Sequence, residues 1–80
     1  MDDHDVLGRI AALVEKEHKL EEEHTGQGID PESARELKQL EVALDQCWDL
    51  LRQRRARRRA GLDPDGAEVR PEDVVEGYRQ

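Results

Sequence analysis

Between Pro31 and Gly61 nothing in the sequence interrupts a helix, and that stretch decides most of what the chain can become. Asp30-Pro31-Glu32 is a helix start: a capping acid, a proline whose fixed φ suits the first turn, and an acid that complements the N-terminal dipole. From there Leu37, Leu40, Leu44, Cys47 and Leu51 recur three and four apart, a heptad seam held for two heptads. Gly61 fits the left-handed position that closes a helix, with Leu62 placed for the apolar contact that accompanies it. A helix over about residues 31–60 runs ~45 Å. A chain of 80 residues that commits this much to one rod has an all-α fold.

A second apolar stripe precedes it. Val6, Leu7, Ile10, Leu13, Val14 and Leu20 lie at helical spacing over about residues 5–24, with Asp2, Asp3 and Asp5 at the positive end of that helix. Thr25-Gly26-Gln27-Gly28 breaks the pattern and reverses the chain, so the two helices form an antiparallel hairpin. With residue 24 opposite residue 31, Trp48 is expected to pack on Val6, Leu7 and Ile10. The N-terminal acids then fall near residues 50–53, and the second helix projects ~15 Å past the first. Leu62-Asp63-Pro64-Asp65-Gly66 is turn chemistry. Arg70-Pro71-Glu72-Asp73 opens a short third helix over about residues 71–78, gripped by Val74, Val75 and Tyr78. Residues 1–80 make one small helical domain.

Such a hairpin is short of core. Apolar residues are 35% of the chain, with no Phe, one Trp and one Tyr, while ordering each residue costs roughly 1.5 kcal/mol. A single cysteine excludes an intramolecular disulfide framework. The expectation is a chain that completes its core by pairing with itself as a dimer, through Leu37, Leu40, Leu44, Cys47, Trp48 and Leu51. No run approaches the ~20 apolar residues of a membrane span, and Met1-Asp2-Asp3-His4-Asp5 is the reverse of a basic signal-peptide start. A cytoplasmic location and no membrane partner follow as expectations.

The net charge of −7 hides an asymmetry. Residues 1–30 carry nine acids and three bases, whereas residues 52–60 carry six arginines and no acid. Arg52, Arg54, Arg55, Arg57, Arg58 and Arg59 surround the helix on all sides. One reading is contact with an anionic partner, since guanidinium forks pair with phosphate oxygens. The other is structural: cations suit a helix C-terminus, and acids from both ends of the chain neutralise them. The structural reading is preferred, with Asp2, Asp3 and Asp5 on one side and Glu68, Glu72, Asp73 and Glu76 returning toward residues 54–59. No aromatic interleaves the arginines, which removes the stacking element of single-strand binders.

Catalytic and metal chemistry find little support. His18–Glu22 and Glu21–His24 are helical pairs, but two ligands do not make a zinc site. Cys47 sits in the seam as a small core residue with no histidine near it on the hairpin. Gly26-Gln27-Gly28 lacks the Lys-Ser/Thr and preceding strand of a phosphate loop. No enzyme activity, catalytic residue, cofactor or metal is expected.

The string Asp45-Gln46-Cys47-Trp48-Asp49-Leu50-Leu51-Arg52-Gln53-Arg54-Arg55, with Val69-Arg70-Pro71-Glu72-Asp73-Val74-Val75-Glu76-Gly77-Tyr78 at the C-terminal end, resembles a small actinobacterial family catalogued as a domain of unknown function. The resemblance covers essentially the whole chain. It implies a short, helical, intracellular bacterial protein and makes the tail part of the domain, but supplies no activity. The residues themselves favour a non-catalytic helical interaction protein that self-associates through its leucine seam. The competing reading is an accessory factor that binds RNA, a ribosome or a polymerase surface through its arginine-rich end.

Overall fold

A computed structural model describes residues 1–24, 26 and 28–76. Helix α1 spans Asp3–Glu23, α2 spans Pro31–Arg59, a 3₁₀ turn covers Pro64–Gly66, and α3 spans Glu72–Glu76. No strand occurs among the described residues. The architecture is the expected all-α hairpin with a short C-terminal helix. Tyr78, expected in the tail's grip, lies outside the described residues.

Local chemistry sets each boundary. Asp2 caps α1 by accepting from the Asp5 N–H at 2.9 Å, and Asp5 returns the favour to the Asp2 N–H at 3.0 Å. Asp30 caps α2 by accepting from the Ser33 N–H at 2.7 Å, ahead of Pro31 in the first turn. At the far end Gly61 adopts φ +75, which lets the Leu62 N–H reach the Arg57 carbonyl at 2.8 Å and the Gly61 N–H reach Arg58 at 3.2 Å. This paired closure is the Schellman arrangement, and it turns the chain back at once.

The two long helices meet along one line. Val6 and Ile10 from α1 and Leu50 and Leu51 from α2 form a buried cluster, with Leu44, Cys47 and Ala67 packed against it. Of the expected seam, Leu44, Cys47 and Leu51 therefore belong to or pack against this intrachain cluster. Leu51, at 1% exposure, is wholly internal, while Leu37, Leu40, Leu44 and Cys47 are half-buried. Trp48 departs from expectation: it is 42% exposed and lies outside the cluster. Cys47 and Leu51 point inward, and Trp48 follows Cys47 by about 100° of helical rotation, which carries it off the contact line. Leu7 and Val14 are likewise exposed, because Val6, Ile10 and Leu20 take the inward positions of α1.

The tail after the 3₁₀ turn is a strap that runs back along α2. Gln53 Nε2 donates to the Glu68 carbonyl at 2.7 Å, Gln46 Nε2 to the Arg70 carbonyl at 3.2 Å, and Lys38 Nζ lies 3.8 Å from Glu76 Oε1. Partners on α2 thus descend as tail residues ascend. The expected return of Glu68, Glu72, Asp73 and Glu76 toward residues 54–59 is corrected by this path: the strap leaves the arginine tip and ends beside Lys38. Val75 is buried beneath it, and Val74 is exposed.

Leu51→Ala should cost about 2–5 kcal/mol, the range for a fully buried leucine. Trp48→Ala should cost less than that, because its indole keeps much of its water contact. Urea unfolding of the two variants at low protein concentration checks the order.

Candidate interaction surface

The six arginines at the end of α2 have identical chemistry and different fates. Arg54 is 5% exposed and is bonded on several sides: Nε donates to Asp3 Oδ1 at 2.7 Å, and one terminal nitrogen donates to Asp65 Oδ1 at 2.8 Å and to the Pro64 carbonyl at 3.3 Å. Arg58 also donates to Asp3 Oδ1, at 2.8 Å. Arg57 Nε donates to the Asp63 carbonyl at 2.6 Å, and its guanidinium lies where a Cβ on Gly66 would be. Hydrogen bonds from Arg54 and Arg58 hold the Asp3 carboxyl below the usual carboxylate range, and Arg54 does the same for Asp65. Bonds to Asp3 and Asp65 push Arg54 up in turn.

Arg54, Arg57 and Arg58 are thus bonded within the chain, to Asp3 and to the segment at residues 63–65 rather than to the strap's acids. Asp2 and Asp5 serve the α1 cap instead. Arg52, Arg55 and Arg59 are exposed. They recur at steps of three and four, and Trp48 is four residues ahead of Arg52, so all four lie on one stripe of α2.

A buried acid was missed in the sequence. Asp49 has no solvent exposure, yet its carboxylate accepts from Arg70 Nε at 2.8 Å, from a second Arg70 nitrogen at 2.9 Å, and from Gln53 Nε2 at 2.9 Å. This fork, with the Gln46 and Gln53 bonds to strap carbonyls, pins the tail to α2. The available signal was an acid set between Cys47-Trp48 and Leu50-Leu51, in an otherwise apolar run.

Each side of the hairpin has its own character. On the strap side a groove of about 330 Å³ is bordered by Arg9, Lys16, Leu13, Cys47, Leu50 and Val69. Burial pushes the Cys47 thiol up, partly offset by Arg9, so the thiolate that a nucleophile needs is disfavoured. The other side carries Leu7 and Val14 from α1 and Trp48 from α2. In each helix these residues follow an inward one by a single step, and antiparallel helices that face each other turn such steps toward the same side. At the loop, His24 Nδ1 lies 2.8 Å from the Leu20 carbonyl, which can only accept, so that nitrogen carries the proton. His24 Nε2 is 3.7 Å from Asp30 Oδ2, linking the end of α1 to the cap of α2. Among the described residues no group of three or more His, Cys, Asp or Glu is placed to hold a metal ion. Among them, too, no helix is long and apolar enough to cross a membrane.

Two outcomes follow from these ion pairs. Arg70→Ala leaves a buried carboxylate short of its main partner and should cost on the order of 3 kcal/mol in chemical unfolding. Asp2, Asp3, Asp30 and Asp65 are all held below their ordinary value of 3.8. Folded pKa values below the unfolded ones mean stability that is fully present above the unfolded value and lost as pH falls through the folded values. Urea midpoints should thus decline progressively as pH falls through and below about 3.8, and Asp3→Asn should flatten that acid limb.

The model of the family described as "Protein of unknown function (DUF2630)" matches residues 2–80. An uncharacterized protein of Mycobacterium bovis is 49% identical over 77 residues, which span 95% of this chain and 88% of the relative. Uncharacterized proteins of two Mycobacterium tuberculosis strains match to the same extent. No solved structure matches. With its helical hairpin, its strap and nearly its full length covered by that model, the chain belongs to this family of unknown function, which has actinobacterial members.

Proposed function

We propose that the chain is a non-catalytic helical interaction protein of the cytoplasm that docks through the side of the hairpin opposite the strap. The observation that carries this reading is the exposure of Trp48 at 42%, with Leu7 at 42% and Val14 at 37% on the same side. An indole half in water, flanked by aliphatic side chains, is the composition of an interface anchor. The strap covers the other side with Asp49–Arg70 and Val75, so the hairpin has one closed side and one open one. Of the expected leucine seam, Leu51 is internal, Leu37, Leu40, Leu44 and Cys47 are half-buried, and Trp48 is the exposed member.

A second reading has its own observation. Arg52, Arg55 and Arg59 are exposed beside Trp48, and three guanidiniums next to one indole suit an anionic partner such as RNA, a ribosome or a polymerase surface. The net charge of −7 and the absence of any aromatic within residues 52–60 weigh against it.

Sedimentation equilibrium over a range of micromolar concentrations separates the two. Self-association of the native chain, lost in Trp48→Ala while the helical circular dichroism is kept, is the expected result. A monomer at tens of micromolar, with a concentration-independent melt, would sink the self-association reading. Salt-sensitive RNA binding that is lost when Arg52, Arg55 and Arg59 become alanine would promote the second.

A further inference from the structure

We infer that the occupant of the open side is a second copy of this chain, docked antiparallel about a two-fold axis at Trp48, with Glu41 of each copy against Arg55 of the other. This deepens the interaction reading above and rests on it.

The argument begins with spacing on α2. Four, seven and eleven residues before Trp48 stand Leu44, Glu41 and Leu37; four, seven and eleven after it stand Arg52, Arg55 and Arg59. Those steps all fall on one helical stripe. A two-fold interface is self-complementary, because a residue that touches a given position is touched by the same position in return. With Trp48 on the axis of an antiparallel pair, positions equally far before and after it face each other. Glu41 then meets Arg55 twice, and the outer edges of Leu37 and Leu44, both half-buried within the chain, meet the aliphatic stems of Arg59 and Arg52, which cover apolar surface while their heads stay wet.

Neither Glu41 nor Arg55 has an ion pair or a side-chain hydrogen bond among the described residues, whereas Arg54, Arg58 and Asp49 are tied down. The two are fourteen residues apart on one straight helix, about 21 Å, and no rotamer joins them within a chain. They can meet only between copies. A parallel pair is excluded by the same stripe, since it lays Arg52, Arg55 and Arg59 beside their own counterparts.

Charge on the scale of the whole molecule points the same way. The long axis is 50 Å, with six arginines toward one end, while Glu21, Glu22, Glu23, Asp30 and Glu32 cluster at the hairpin loop. Antiparallel docking brings each basic tip toward the partner's acidic loop, with Arg59 facing Leu37 and so about 7.5 Å along the helix from Glu32. A polyanion at the stripe would instead meet Glu41 and gain no aromatic beyond Trp48.

A charge-swap cycle tests this at low and high salt. In sedimentation equilibrium Glu41→Arg and Arg55→Glu should each weaken the dimer roughly tenfold, because two symmetric attractions become repulsions. The double variant Glu41→Arg/Arg55→Glu should restore native affinity, and raised salt should compress all the differences. Emission from the one tryptophan should shift to the blue as the native dimer forms. Arg55 is exposed and Glu41 half-buried, so circular dichroism of each variant checks that the helices persist. A dimer indifferent to the single swaps, or not rescued by the double, overturns the antiparallel register while leaving a Trp48-dependent interaction intact. A native chain that stays monomeric at low salt overturns the second-copy inference, and loss of RNA binding in Arg55→Glu would then assign the stripe to an anion.

Discussion

One guanidinium holds the ends of this molecule together. Arg54 on α2 grips Asp3 at the start of α1 and Asp65 in the turn that follows α2, so three segments remote in sequence share one buried cation. Burying a charge is tolerated only when its hydrogen bonds are made, and here the carboxylates and the Pro64 carbonyl supply them. The same contact fixes the hairpin register. Asp3 lies level with Arg54 and Arg58, which sets Val6 and Ile10 onto Leu50 and Leu51. It also fixes the direction in which the chain leaves α2, and from that direction the strap's path along Gln53, Asp49, Gln46 and Lys38 follows.

What was legible in the sequence was local. Asp30-Pro31, Gly61 and the run between them act through backbone geometry within a few residues, and the helix bounds agree with expectation to within about a turn. The inward phase was not legible. Cys47 and Trp48 are adjacent and both apolar, and a single helical step decides which is inside; hydrophobicity favours the larger, whereas the register seats the smaller. The arginine block was equally opaque, because six identical side chains are sorted only by phase and by the turn at residues 61–66. The Asp49–Arg70 fork needed the tail's route, which depends on that turn and on no nearby residue.

The two sides of α2 illustrate different ways to hold a helix. Toward α1 the contact is aliphatic and finishes in an ion pair at the tip. Toward the strap it is mainly polar: side-chain amides on backbone carbonyls, a forked arginine on a buried aspartate, and Val75 as the principal apolar plug. Polar contacts specify one path strongly because a slip leaves a buried group unpaired. A chain with little apolar material gains a definite shape in this way without a larger core.

The position of the cluster has a consequence for how the chain reaches its native state. Val6, Ile10, Leu50 and Leu51 lie at the open end of the hairpin, far from the glycine-containing loop. Joining Val6 to Leu51 closes a segment of about 45 residues, against about seven for the loop itself, an added entropic cost of about 1.7 kcal/mol. Zippering outward from the loop passes mostly half-buried contacts and meets the strongest packing only at the last turns. Partial hairpins are therefore poorly rewarded, which favours an all-or-none transition over a populated intermediate. In the native ensemble the same gradient places the readiest local opening, and the fastest amide exchange within the helices, beside the loop rather than at the chain's N-terminus.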